Sequence, residues 1–198
     1  MRNDLKEAKD YLKEYKRVIK VVTVLFVALA IMAYLQYLSS QEYGQLFDKL
    51  LENTTAIAAG KKGASLMVTI FLNNLKSSTM YVIMGIIPFI FIPGFDAASN
   101  GAILGAALAK TSSAVNMSPV KLFLLGVAPH GIFEIPALIV SATLGIIICR
   151  EITRGLLRKP HKKLNDVLEE TARCYVLIVL PLIAIASVIE AYITPMLL

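Results

Sequence analysis

The chain has 198 residues, 57% hydrophobic and 17% charged, with mean hydropathy +0.67. Soluble domains run nearer 25% charged, and the apolar residues here fall in long runs, which argues for an integral membrane protein. The net charge of +6 is not a nucleic-acid signature, because the basic residues flank apolar runs instead of forming a patch interleaved with aromatics.

Residues 1–20 carry seven Lys/Arg against four Asp/Glu. Leu5, Ala8, Leu12, Tyr15 and Ile19 recur at three- and four-residue spacing, so this segment reads as an amphipathic helical extension at the membrane surface. Val21 to Leu38 is an uncharged run of 18 residues and reads as a first transmembrane helix and signal anchor. Residues 39–64 form an extracytoplasmic segment, in which Tyr43, Leu46, Phe47, Leu50 and Leu51 mark one face of a short amphipathic helix. Residues 65–75 are apolar but span only about 16 Å as a helix, half a bilayer, and read as interfacial or re-entrant. Further spanning helices are expected near 77–93, 97–115 and 131–149, with 120–129 too short to cross. A basic loop covers 150–173, and 174–198 is the last span, kinked at Pro181 and containing Glu190.

The segments 1–20 and 150–173 hold 14 of the 20 basic residues. The positive-inside rule makes both cytoplasmic. An even number of crossings must lie between them, and a fifth leaves Leu198 outside. Cys149 and Cys174 border basic residues at the ends of apolar segments, where a reduced pair is favoured over a disulfide.

Polar residues at membrane depth are the functional candidates: Asn73, Asn74, Lys76, Asn100, His130, Glu134 and Glu190. In a helix, His130 and Glu134 share a face. Glu134 precedes fifteen uncharged residues, so its carboxylate must point into the bundle. A shared polar pocket joining His130 and Glu134 to Asn100 and to one of Asn73, Asn74 and Lys76 would let each satisfy another. Lys76 and the two glutamates could form a buried ion pair with one carboxylate left over. A zinc site from His130 and Glu134 would need two further ligands, and the other histidine, His161, falls in the cytoplasmic loop. No CxxC, HExxH, Walker A or GxSxG pattern is present, so no metal, cofactor or catalytic residue is expected. Gly101 and Gly105 form a small-residue face suited to close helix packing and to a homodimer.

Phe71-Leu-Asn-Asn74, Asn100-Gly-x-x-x-Gly105, Pro129-His-Gly-x-x-Glu134-x-Pro-Ala and Ile189-Glu-Ala-Tyr-Ile-Thr-Pro195 together resemble the stage II sporulation protein M family over roughly residues 65–197. The resemblance implies a membrane protein that holds partner proteins and is not itself a hydrolase. The expectation is an all-α polytopic bundle of about five transmembrane helices with re-entrant or interfacial segments, forming one membrane domain in the plasma membrane. It would be non-enzymatic and act as a scaffold or complex subunit, as a dimer or with other membrane proteins. The alternative is a small transporter or permease-like protein with a polar intramembrane pathway.

Overall fold

The computed structural model describes residues 2–56, 59–160 and 162–197. His161 and Leu198, which figured in the expected topology, lie outside the described residues. Among those residues there is no strand, and seven helices follow one another: α1 (Arg2–Glu14), α2 (Lys16–Ser39), α3 (Gln41–Ala56), α4 (Gly63–Met84), α5 (Ile92–Ala114), α6 (Pro119–Leu156) and α7 (Leu164–Leu197).

Local chemistry explains several joints. Ser118 caps α6 by accepting a 3.2 Å hydrogen bond from the Lys121 amide, with Pro119 in the first turn, where its missing N–H costs nothing. Three π turns interrupt the long helices, at Phe123–Val127 in α6 and at Tyr175–Val179 and Ile189–Ile193 in α7. Each ends two residues before a proline: Pro129, Pro181 and Pro195. A proline cannot donate to the carbonyl four residues back, and its ring collides with that carbonyl. The backbone widens instead, so that Ala128, Leu180 and Thr194 donate to the fifth residue back, namely Phe123, Tyr175 and Ile189. The expected kink at Pro181 therefore takes the form of a π turn just before it.

Among the described residues three helices are long and apolar enough to cross a membrane: α2, α6 and α7. The expected count of about five is not confirmed. The segments 65–75 and 77–93 are not separate elements. Residues 63–84 form one helix, α4, and the chain leaves it through turns before α5 begins at Ile92. Likewise 120–129 is continuous with 131–149 inside the 38 residues of α6. Both α4, with 22 residues, and α5, with 23, are as long as a span, yet each carries polar residues along its length: Asn73, Asn74, Lys76, Ser77 and Ser78 in one, Asp96, Asn100 and Lys110 in the other.

The middle of α6 is the hub. Ala137, Ala142, Leu144, Ile147, Ile148 and Cys149 are almost fully buried there. Glycines set the tightest crossings. A Cβ on Gly145 would stand 2.8 Å from Pro93 and 3.0 Å from the Tyr81 carbonyl carbon, so α4 and α5 press directly on the α6 backbone. Gly101 and Gly105 lie against the backbone of α2 at Phe26 and Ala30. The small-residue face expected to bring helices together does so inside one chain. Tyr175 pins α7 to α4, with its hydroxyl 2.8 Å from Ser78 Oγ and 2.7 Å from Thr79 Oγ1.

The stripe of α1 is buried rather than spread on a surface. Ala8, Tyr11, Leu12 and Tyr15 pack on Val167 and Cys174 at the start of α7. Arg173 pairs with Glu7 at 2.8 Å and Lys162 with Glu14 at 2.7 Å. Residues 1–20 and the basic loop thus meet at one end of the bundle. Both cysteines are buried and free. On α3, Leu51 is buried while Tyr43, Leu46 and Leu50 are exposed. Asp48 ties that helix to its neighbours, accepting from Tyr37 Oη at 3.0 Å and pairing with Lys110 at 2.9 Å.

Candidate functional site

The polar cluster forms where α4, α6 and α7 meet. His130 and Glu134 sit one turn apart on α6, directly after the first π turn. Glu190 comes from the third π turn, in α7. One side-chain ligand atom from each of these three residues lies within 4.8 Å of the others. His130 Nε2 is 3.9 Å from Glu134 Oε2, and the two side chains are 13% and 24% exposed. On the other side of the ring, His130 Nδ1 is 3.2 Å from Thr194 Oγ1. That hydroxyl also donates to the Ile189 carbonyl at 3.4 Å, the carbonyl that the π turn already engages through the Thr194 amide.

Helix α4 supplies the wall. Asn74, Ser78 and Tyr81 recur at helical spacing on its buried face. Asn74 is set against the Glu134 carboxyl, although its Nδ2, buried, completes no hydrogen bond of ordinary geometry. Tyr81 lies within electrostatic reach of Glu134 and of Asp96. Its hydroxyl accepts a hydrogen bond from Asn100 Nδ2 and donates to the Asp96 carbonyl at 3.5 Å.

The structure therefore brings His130, Glu134, Glu190 and Asn74 together, while Asn100 bonds to Tyr81 on the same side of α4. It does not bring in Asn73 or Lys76, which are exposed on the opposite face of α4. The suggested ion pair between Lys76 and the glutamates is not formed. Among the described residues no Lys or Arg pairs with Glu134 or Glu190. Gly101 and Gly105 are packing residues away from the cluster, on the α2 side of α5.

Sequence reasoning missed Tyr81 and Thr194. Asn74-x-x-x-Ser78-x-x-Tyr81 is a helical polar stripe visible in the sequence, and Thr194 stands four residues after Glu190. Both signals were available once residues 63–84 were read as one helix and the end of α7 as part of the site.

The profile of Stage II sporulation protein M matches residues 21–195. The chain belongs to the Stage II sporulation protein M family. The match extends the motif-based resemblance N-terminally to cover α2, and it takes in every residue of the cluster. Two uncharacterized proteins of Methanocaldococcus jannaschii are also similar. One is 36% identical over 130 residues, covering 64% of this chain and 70% of the relative. The other is 27% identical over 199 residues, covering 96% of this chain and 87% of the relative. No solved structure matches the chain.

Proposed function

We propose that this member of the Stage II sporulation protein M family is a non-enzymatic, multi-pass plasma-membrane protein that acts as a scaffold or as a subunit of a membrane complex. The observation that supports this most is the ordered platform built from α1 and the first turns of α7. It projects polar side chains beyond the apolar spans and is held to them by the continuous helix α7. Glu7, Asp10, Glu14, Lys162, Asp166 and Glu170 line a shallow depression on it, a mostly acidic surface suited to another protein. The positive-inside rule puts this platform in the cytoplasm. A second copy is a further proposed partner, through a surface other than Gly101 and Gly105, which are occupied within the chain.

Two measurements test the reading. Cysteines introduced at Lys13 and Lys163 should label only from the cytoplasmic side, and photo-crosslinkers at Asp10 and Asp166 should give discrete protein adducts in native membranes. Purified chain reconstituted in liposomes should conduct no ion or solute. A second reading, a small transporter, draws on the partly open polar cluster beside two π turns, since such turns recur at functional sites. Flux that disappears in Glu134→Gln would replace the scaffold reading with that one.

A further inference from the structure

We propose that His130, Glu134 and Glu190 bind a divalent first-row transition-metal ion, with Zn²⁺ as the test case, and that Asn74 completes its surroundings. This is independent of the scaffold reading, because a structural ion would serve either function.

Three observations converge. The first is the state of the imidazole. The Thr194 hydroxyl lies 3.4 Å from the Ile189 carbonyl, an acceptor for its one hydrogen, and 3.2 Å from His130 Nδ1. In the proposed site Nδ1–H donates to that hydroxyl, and the neutral ring leaves Nε2 with a bare lone pair. That is the arrangement of a metal-binding histidine, in which the nitrogen facing away from the ion is held by an acceptor.

The second is what the lone pair faces. At 3.9 Å from Glu134 Oε2, Nε2 is too far away for a hydrogen bond, and two electron-rich atoms face each other across the gap. Glu190 closes the third side, within 4.8 Å. Two carboxylates gathered this way at membrane depth are relieved by a positive charge or by a shared proton, and Lys76 does not supply the charge. One divalent cation with one neutral imidazole and two carboxylates is charge-balanced. Bonds of 2.0–2.2 Å set neighbouring ligand atoms about 3.3 Å apart around a tetrahedral ion, so the triangle contracts when an ion enters.

The third is Asn74. It is only 7% exposed and faces the Glu134 carboxyl, yet its amide nitrogen completes no hydrogen bond of ordinary geometry. A buried amide without a partner calls for an explanation. Turned about its last torsion, the same amide presents its oxygen to an ion held by Glu134. Imidazole and carboxylate oxygen together suit zinc, iron or manganese better than magnesium or calcium.

The test uses the full chain, purified in detergent and stripped with a chelator. Isothermal titration with Zn²⁺, Mn²⁺, Mg²⁺ and Ca²⁺, and metal content after gel filtration, should give one Zn²⁺ per chain and a raised melting temperature. Mg²⁺ and Ca²⁺ should bind at least a hundredfold more weakly. Glu190→Gln and His130→Gln should lose a hundredfold or more in Zn²⁺ affinity. Thr194→Val should lose about tenfold, as expected for removing an outer-shell partner. Lys76→Ala should bind as the parent does. If the two carboxylates instead share a proton, folded parent protein will take up no stoichiometric metal, and that result overturns the site whatever the variants do. Undiminished binding in Glu190→Gln also overturns it, by assigning the metal to other residues.

Discussion

A methyl group added at Gly105 tests the α2–α5 crossing directly. Its Cβ would fall on the Ala30 carbonyl oxygen and stand 2.7 Å from the carbonyl carbon. Even the carbon is thus 0.7 Å inside the 3.4 Å at which ordinary contact begins. Both obstacles are helical backbone, which cannot rotate away as a side chain would, so the two helices must separate. A radial gap of about 0.5–1 Å forfeits a quarter to a half of each dispersion contact along the seam, and overpacking of this kind costs about 1–3 kcal/mol. Gly101→Ala, with its Cβ 2.9 Å from the Phe26 carbonyl carbon, should cost a similar amount. The pair should not be additive, since the first separation relieves the second. Gly44→Ala is the control: its Cβ meets the Tyr37 carbonyl oxygen at 3.8 Å, and helix propensity should make it neutral or stabilising by up to about 1 kcal/mol. Thermal or denaturant unfolding in one detergent, with mass measured alongside, reads all four. Equal stability of Gly105→Ala and Gly44→Ala would refute the intramolecular crossing. A drop in oligomer mass without a drop in stability would hand the glycines back to a dimer interface.

Tyr175→Phe removes the hydroxyl shared by Ser78 and Thr79 and should cost about 1–2 kcal/mol of unfolding free energy; parent-like stability would show that this clamp between α4 and α7 contributes nothing. Glu134→Ala should destabilise more than Glu134→Gln, because glutamine keeps a group for Asn74 and the ring of His130 to face; calorimetric melting of the two variants decides it, and the reverse order would sink the packing argument. Docking of α1 should loosen at high salt and in Arg173→Ala, seen as faster amide exchange over residues 2–14, because Arg173 reaches Glu7, Glu169 and Glu170 together. The hydrogen bond to Glu14 raises the titration of Lys162, so its share of this docking is intact at neutral pH and fades only as alkaline pH deprotonates it; exchange that quickens on mild acidification to a pH at which both partners stay charged would contradict that assignment.

The helical, membrane-type fold was legible because uncharged runs such as Val21 to Leu38 leave little alternative. The joints were not. Asn73-Asn74-Leu75-Lys76-Ser77-Ser78 reads as the polar end of a helix. In the folded chain those residues divide by face: Asn74 and Ser78 turn inward, Asn73 and Lys76 outward, and α4 runs on to Met84. A half-polar helix of this kind needs neighbours to bury one side, and a linear hydropathy reading has no access to them. The prolines misled for the opposite reason. Pro129 stands at the end of the short apolar piece 120–129, but a chain that can widen into a π turn keeps its helix, and the chain does the same before Pro181 and Pro195 in α7.

Within the site, the i, i+4 rule placed His130 and Glu134 together because their separation is local. Glu190 is 56 positions further on than Glu134, and no periodicity connects them. What connects them is the backbone answer to Pro195. With no N–H at that proline, the turn before it opens, Thr194 closes on the Ile189 carbonyl through both its amide and its hydroxyl, and Glu190 is carried on the widened turn beside His130. A residue at 190 on an uninterrupted helix would point elsewhere, because each added residue in a turn rotates everything beyond it. Pro195 and Thr194 therefore belong to the site as much as the carboxylate they position, and the motif Ile189-Glu-Ala-Tyr-Ile-Thr-Pro195 is better understood as one unit: a carboxylate, a wide turn to aim it, and a hydroxyl set 3.2 Å from Nδ1 of the histidine opposite.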